Sequence, residues 1–210
     1  EPEWLLGVAE VFGLDAPPQR IEVYDNSHIQ GSKPVGGMIV AGPRGLEKSQ
    51  YRKFNIKSAA GNDDFAMMRE VLTRLFARLS DAPVKETGDD AHAPIFDESA
   101  AEETPERPDL ILVDGGPGQL SAALEAMRAA GVEGIVIAGI SKGPDRDAGR
   151  ENFHLPGRPA FMLEPNHPVL FYLQRLRDEA HRFAIGTHRQ KRSRAITASP
   201  LDEIPGIGPA

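Results

Sequence analysis

Apolar residues follow two spacings along the chain, and the change between them predicts the order of strands and helices. Short apolar or alternating runs bounded by turn residues are typical of strands, whereas a repeat of three to four residues is typical of helices. Strands are predicted at residues 21–29, 33–41, 50–57, 109–114 and 134–140, and a hairpin at 151–164. Helices are predicted within residues 1–20 and at 62–79, 119–130 and 167–194.

This order predicts an α/β domain. The first three strands are joined by short turns and are expected to form an antiparallel meander. The whole sequence of elements is β-β-β-α-β-α-β, then a hairpin and a long C-terminal helix. This is the order of an RNase H-like domain, a mixed β-sheet flanked by helices. In that fold the first and fourth strands lie side by side.

The fourth predicted strand ends on a carboxylate. Four apolar residues, 110–113, lead directly to Asp114, and Gly115, Gly116 and Gly118 then permit a tight turn into the next helix. Open α/β sheets bind ligands at the carboxyl ends of their strands, which makes Asp114 a candidate site residue. The alternative is a turn aspartate that caps the following helix. A phosphate-binding loop is disfavoured because the glycine spacing fits neither nucleotide-binding pattern.

The first strand also ends in polar residues, beginning with Asp25. If the predicted topology holds, Asp25 and Asp114 meet at neighbouring strand ends. Two close carboxylates repel each other and resist ionisation unless a cation lies between them. Mg²⁺ or Mn²⁺, bound by carboxylates and water, would satisfy such a pair.

The net charge of −7 over 210 residues conceals an uneven distribution. Residues 81–109 carry ten acidic and two basic residues, so the rest of the chain is close to neutral. Within that stretch, residues 81–108 contain little aliphatic content and are expected to form an acidic, disordered insert. Residues 175–194 carry seven basic and two acidic residues. The overall acidity therefore does not exclude a nucleic-acid partner.

Other features of the composition limit the class of protein to which the chain can belong. The chain has no cysteine, which excludes a disulfide framework and thiolate metal ligands. No apolar run approaches the ~20 residues that a membrane span needs, and no signal peptide is recognisable at the start. We expect a cytoplasmic protein with no membrane association.

The closing helix has two chemically distinct faces. One face is apolar and is expected to pack on the sheet: Leu170, Leu173, Leu176, Ala180 and Phe183. The other face is polar and mostly basic: Arg177, Asp178, His181, Arg182, His188 and Arg189. A phosphate-binding role is favoured over simple solubility for the basic residues, with Lys142, Arg177, Arg182 and Arg189 as the candidates for DNA contact.

His181 is a candidate metal ligand on that face. Neighbouring arginines disfavour the imidazolium form, which leaves the ring free to bind a metal ion. The alternative is an ordinary surface histidine. Asp178 lies one turn earlier and competes for the same role, and its alternative is an ion pair with Arg175 or Arg182.

Four motifs in order give the chain a close resemblance to one family. They are Tyr-Asp-Asn-Ser-His at 24–28, Asp-Asp-Phe-Ala-Met-Met-Arg-Glu-Val-Leu at 63–72, Leu-Val-Asp-Gly-Gly-Pro-Gly-Gln at 112–119 and Leu-Gln-Arg-Leu-Arg-Asp-Glu-Ala-His-Arg-Phe-Ala-Ile at 173–185. The chain resembles the C-terminal half of the UvrC family, the endonuclease subunit of bacterial UvrABC nucleotide excision repair. The resemblance covers nearly all of residues 15–210 apart from the acidic insert.

The resemblance implies an RNase H-like, metal-dependent endonuclease that cuts on the 5′ side of a lesion in damaged double-stranded DNA. It implies Asp25, Asp114 and His181 as both the catalytic and the metal-binding set, with Mg²⁺ or Mn²⁺ as cofactor. Asp64 falls at a position linked to activity in the family and receives a supporting role, like Asp178. A helix N-terminal acid favoured by the helix dipole is the alternative for Asp64. UvrB is the implied partner of the whole protein.

The resemblance also sets the expected domain organisation. Residues 1–20 are expected to form an N-terminal helix or linker, 21–198 the endonuclease domain, and 199–210 the start of a truncated helix-hairpin-helix module. The N-terminal GIY-YIG nuclease of the family and its UvrB-binding segment have no counterpart in this sequence, and we expect a monomeric fragment. Because the helix-hairpin-helix module stops after one hairpin, we expect the fragment to bind DNA more weakly than the whole protein. The competing hypothesis is a catalytically silent RNase H-like module that only binds DNA or a partner.

Overall fold

The computed structural model describes residues 2–27, 34–57, 63–80, 106–143 and 150–197, with side chains in the last segment described up to residue 186. Its helices are α1 (Glu3–Phe12), α2 (Asp64–Leu79), α3 (Pro117–Ala129) and α4 (Pro168–Thr197), with a 3₁₀ turn at Lys48–Gln50. Its strands are β1 (Ile21–Ser27), β2 (Val35–Gly42), β3 (Gly45–Leu46), β4 (Arg52–Asn55), β5 (Leu110–Asp114), β6 (Val136–Lys142) and β7 (Glu151–His154).

The described strands form one mixed sheet with the order β3-β2-β1-β5-β6-β7, and β4 also pairs with β2. β1 runs antiparallel to β2 but parallel to β5, and β5 runs parallel to β6. The expected meander is confirmed, with one refinement: β3 and β4 pair with opposite ends of the same strand, β2. The first strand therefore lies beside the one that ends in Asp114, as the predicted topology requires.

Alternation along the strands separates the core into two layers. In β1, Ile21 and Val23 pack on the layer that contains α1 and α4, whereas Tyr24 packs on the layer that contains α2 and α3. All three side chains are buried. A central strand covered by helices on both faces explains why Leu110–Val113 is apolar without interruption.

Local capping fixes where two of the helices begin. The Asp63 carboxylate accepts a hydrogen bond from the backbone N–H of Ala66 at 3.0 Å, which makes Asp63 the N-cap of α2. At the start of α4, Nδ1 of His167 accepts the N–H of Val169 at 3.1 Å. Pro168 then occupies the first turn, where its missing N–H costs nothing.

The predicted hairpin at 151–164 is only partly present. β7 pairs with β6, but the returning segment contributes a single bridge between Phe153 and Phe161. Prolines at 159 and 165 flank this segment and offer no N–H for a longer ladder. The end of the predicted first strand, nearly all of the acidic insert and the expected helix-hairpin-helix start at 199–210 lie outside the described residues. None of the described helices combines the length and apolar character of a membrane span.

Candidate active site

Strand register brings the two predicted carboxylates together. Tyr24 of β1 is paired with Val113 of β5, so the next residues, Asp25 and Asp114, lie side by side where the parallel pairing of the two strands ends. Side chains alternate between the two faces of a strand, and both residues fall in step with the strand residues that pack beneath α4. The side chains of Asp25 and Asp114 therefore face that helix. The Asp25 side chain is 8% exposed and that of Asp114 is 22% exposed.

Helix α4 packs closely on β1 and β2 near Asp25 because the residues that face each other there are small. A Cβ atom built on Gly37, the β2 partner of Asp25, would lie 3.3 Å from Cβ of Ala184. Ala180 and Ala184 are both buried against the sheet. This contact places His181 above the strand end, where its Nδ1 lies 2.9 Å from Oδ2 of Asp25. A protonated Nδ1 donates this hydrogen bond to the carboxylate.

Asp25, Asp114 and His181 form a potential metal site. One ligand atom from each residue lies within 4.8 Å of the others. Burial raises the pKa of Asp25 to about 6, the charge of Asp114 adds to that rise, and the hydrogen bond from His181 opposes it. A divalent cation bound between the two carboxylates would relieve this electrostatic cost. The structure thus brings together the three residues expected from the sequence.

A second set of contacts surrounds Asp114. Nε of Arg177 lies 3.1 Å from Oδ1 of Asp114, and its Nη1 lies 3.9 Å from Oε1 of Glu151. Nε2 of Gln174 donates to Oε2 of Glu151 at 3.1 Å. The guanidinium of Arg177, a candidate for contact with DNA phosphate, lies between two carboxylates at 14% side-chain exposure, and its contact with DNA stays a prediction.

Glu151 and Gln174 were missed by the sequence reasoning. Glu151 is 7% exposed, although it begins an edge strand and nothing in its neighbours marks it as buried. Its register partner, Lys142, is exposed at the end of β6. The only available signal was the spacing of Gln174 and Arg177, which lie one turn apart on α4 and can therefore converge on one carboxylate.

The remaining predicted site residues lie outside the three-residue cluster. Asp178 is exposed on α4 and is not among the described groups that could share a metal ion. Arg182 is also exposed, and its Nε donates to Oε1 of Glu179 at 2.6 Å. Lys142 is exposed at the end of β6, and its contact with DNA stays a prediction. The side chain of Arg189 lies outside the described residues.

Asp64 is exposed in the first turn of α2, next to the capping residue Asp63. The following residue, Phe65, is half exposed, and its ring lies against Gly118 in the first turn of α3. A Cβ atom at Gly118 would lie only 2.4 Å from that ring, so glycine is required for this contact. The start of α2 is therefore held against the helix that follows Asp114.

The mixed sheet carries two carboxylates where the parallel pairing of β1 and β5 ends, beneath a histidine-bearing helix, and this arrangement defines an RNase H-like domain. The sequence model of the UvrC RNase H endonuclease domain matches residues 9–185, and the chain belongs to this family. The resemblance on which the sequence analysis relied is thereby confirmed.

Individual relatives agree with this assignment. The chain is 61% identical over 207 residues to the UvrABC system protein C of Caulobacter vibrioides, covering 98% of this chain and 30% of that protein. It is 57% identical over 208 residues to the protein of the same name from Cereibacter sphaeroides, covering 98% and 31%. The chain therefore spans less than a third of the length of these relatives. A solved structure of Ciona intestinalis endonuclease V with DNA is more distant: TM-score 0.38, 12% identity, 60% of this chain and 47% of that chain.

Proposed function

We propose that this domain hydrolyses a phosphodiester of damaged double-stranded DNA on the 5′ side of a lesion, using Mg²⁺ or Mn²⁺ held by Asp25, Asp114 and His181. One observation carries the proposal: the ligand atoms of these three residues converge within 4.8 Å where the parallel pairing of β1 and β5 ends. A divalent ion bound there would supply Lewis-acid activation of the scissile phosphate and lower the pKa of a bound water.

Residues of the chain would prepare this site in separate ways. Asp25 and Asp114 offer carboxylate oxygens, and the hydrogen bond from His181 holds one oxygen of Asp25 in a fixed direction. Arg177 fixes Oδ1 of Asp114 in the same manner, while Glu151 anchors the guanidinium from the opposite side. Side chains held by such contacts are the condition for binding a phosphate and an ion with defined geometry.

The exposed basic residues near the site would contact the DNA backbone. Lys142 ends β6, the strand next to Asp114, and Arg182 follows His181 on the exposed side of α4. Asp64 and Asp178 keep their proposed supporting roles. In the whole protein we propose UvrB as the partner that delivers damaged DNA, with the domain itself acting as a monomer in the cytoplasm.

The experiment uses the full-length protein with UvrB-loaded, end-labelled duplex that carries one defined lesion. Asp114→Ala should abolish Mn²⁺-dependent incision on the 5′ side and leave the 3′ incision in place, because the family assigns that cut to another domain. Asp15→Asn, at an exposed position after α1, is the matched control and should cut like the parent. Undiminished 5′ incision by the Asp114 variant would refute the assignment.

A catalytically silent module is the second candidate, and one observation favours it. Each carboxylate already has a partner from α4: His181 at 2.9 Å from Asp25 and Arg177 at 3.1 Å from Asp114. Such contacts give each acid a hydrogen-bond partner without a cation. Calorimetric titration separates the candidates, because a nuclease must bind Mn²⁺ at this site and lose that binding in Asp114→Ala, whereas a silent module need not bind it.

A further inference from the structure

An exposed aromatic ring lies at the same edge of the sheet as the candidate active site. Phe65, in the first turn of α2, is 51% exposed, and its ring packs on Gly118 in the first turn of α3. Helix α3 begins at Pro117, directly after the loop that follows Asp114 at the end of β5. Gly118 is four residues beyond Asp114, so their Cα atoms lie within about 14 Å of each other. The ring is therefore close enough to contact DNA that is bound at the candidate site.

The ring is held in one place by its packing and by the cap of α2. A Cβ atom on Gly118 would lie only 2.5 Å from Cζ of Phe65, so the ring lies directly on the backbone of that glycine. The carboxylate of Asp63 accepts the N–H of Ala66 and fixes the turn from which Phe65 projects. Phe65 nevertheless belongs to neither buried layer of the described core. A ring fixed in this way loses little conformational freedom when a ligand packs on its exposed part.

The surface between Asp114 and this ring is open. The connecting loop contains Gly115 and Gly116, and a Cβ atom built on Gly116 would meet no described atom within 4 Å. Pro117, the next residue, is exposed. The loop therefore places no side chain other than that of Pro117 between the candidate site and Phe65. A nucleic-acid strand that leaves the candidate site can cross the edge of the sheet over Gly116 and reach the ring.

The charges beside the ring favour contact with a base over contact with a phosphate. Asp63 and Asp64 precede Phe65, and both are exposed. Their carboxylates repel a phosphate, whereas a nucleobase is uncharged and offers a flat face on which an aromatic ring can stack. Arg69, one turn further along α2, is already paired with Glu125 at 3.0 Å. In a regular duplex both faces of each base are covered by its neighbours, so Phe65 can stack only on a base that has left the stack.

We propose that Phe65 is a base-stacking residue, which receives an unstacked nucleobase within about five nucleotides of the scissile phosphate. A reach of about 14 Å plus one ring contact of about 4 Å corresponds to about five steps of the rise of about 3.4 Å between bases on one strand. The proposal rests on the function proposed above, because the scissile phosphate is the one bound at Asp25, Asp114 and His181. It adds a property of the substrate, namely DNA with an unstacked base beside the incision site. Phe65 takes no part in bond cleavage.

The first test measures the preference for unstacked bases. The affinity of the full-length protein is measured in EDTA, where no cleavage occurs, for a lesion-bearing duplex and for the same duplex with about six unpaired nucleotides beside the incision site. Phe65→Leu keeps an apolar side chain on Gly118 but removes the aromatic face. It should reduce the preference for the unpaired duplex by about 5- to 150-fold, the range expected for one base–aromatic stack.

The ratio of the two affinities separates stacking from a structural effect, because damage to the fold lowers both affinities and leaves their ratio unchanged. Phe171→Leu is the matched control: it removes a ring that is 79% exposed on α4 and should leave the ratio as it is in the parent. An unchanged ratio for Phe65→Leu, or an equal fall for Phe171→Leu, would overturn the proposal.

The second test locates the base. Single abasic sites are introduced within the unpaired stretch, and the fold loss in affinity is measured for the parent and for Phe65→Leu. One position should weaken binding by the parent about 5- to 150-fold and leave binding by the variant nearly unchanged, because both changes remove the same stack. Independent losses at every position would contradict the assignment. A parent with the expected pattern that never cuts in Mn²⁺ refutes the nuclease alone, whereas normal 5′ incision with independent losses at every position refutes only the stacking contact.

Discussion

Asp25 should destabilise the protein when no metal is bound, and replacing it with asparagine should reverse that effect. The charged form of Asp25 is disfavoured by burial and by the charge of Asp114, which raises its pKa to about 6 from an ordinary 3.8. The folded state therefore binds a proton more tightly than the unfolded chain does. Stability falls as the pH rises from about 4 to about 6, and the full loss is present at neutral pH.

The magnitude follows from that difference. About two pH units at about 1.4 kcal/mol each give a loss of about 3 kcal/mol above pH 6 and almost none below pH 4. Asp25→Asn keeps the size of the side chain and an oxygen that accepts from His181. We therefore expect the variant to be more stable than the parent by about 3 kcal/mol at pH 7 and equal to it at pH 4.

Urea unfolding in EDTA at both pH values measures this difference. The control Asp15→Asn removes an exposed carboxylate and should change stability by no more than about 0.5 kcal/mol. Adding Mn²⁺ at about 100 times its dissociation constant should stabilise the parent by about 2.7 kcal/mol and Asp25→Asn by much less. A variant that is less stable than the parent at pH 7 without metal would refute the reasoning.

Three further substitutions test the surroundings of the site. Arg177→Ala leaves the buried Glu151 carboxylate without its guanidinium and should lower the free energy of unfolding by about 3 kcal/mol in urea titrations, an effect that Arg177→Lys should partly rescue. Gly139→Ala places a Cβ 2.8 Å from a backbone oxygen of the loop after β5 and should cost about 1–3 kcal/mol, with loss of 5′ incision in the same assay. Asp63→Ala removes the cap of α2 and should lower the free energy of unfolding by about 1 kcal/mol without changing the rate of incision. Asp64→Ala should slow incision without that loss of stability.

The parts of the fold that the sequence predicted are those governed by strong local patterns. Continuous apolar runs located β5 and β6, and the helical repeat located α2. The order of elements then implied that β1 and β5 are neighbours, which brought Asp25 and Asp114 together. Edge elements were predicted less well, because β3, β4 and β7 are short and their partners are set by tertiary contacts.

The largely buried position of Arg177 could not be predicted from the pattern of charge along the helix alone. Arg177 lies four residues after Leu173 and three before Ala180, both of which are buried, so it borders the apolar stripe of α4. Because its side chain is charged, Arg177 was predicted to lie on the exposed face of α4. Its true environment depends on Glu151, which comes from a distant strand, and no local feature of the sequence predicts that contact.

The position of Lys53 has a similar origin. The strand that contains Lys53 was predicted. Its pairing with Gly37, and through Gly37 with Asp25, was not predicted, because it depends on the exact register of β1, β2 and β4. A slip of one residue would have turned the ammonium to the opposite face of the sheet. The sequence therefore predicted the strand that contains Lys53 but not the face of the sheet from which its side chain projects.

A crystal of the protein grown with Mn²⁺ and measured at the manganese absorption edge tests the central claim most directly. We predict an anomalous peak bound by carboxylate oxygens of Asp25 and Asp114 and by the imidazole of His181, at the distances of about 2.0–2.3 Å typical of such ligands. A manganese ion bound elsewhere, with His181 directed away from the two strand-end acids, would contradict it.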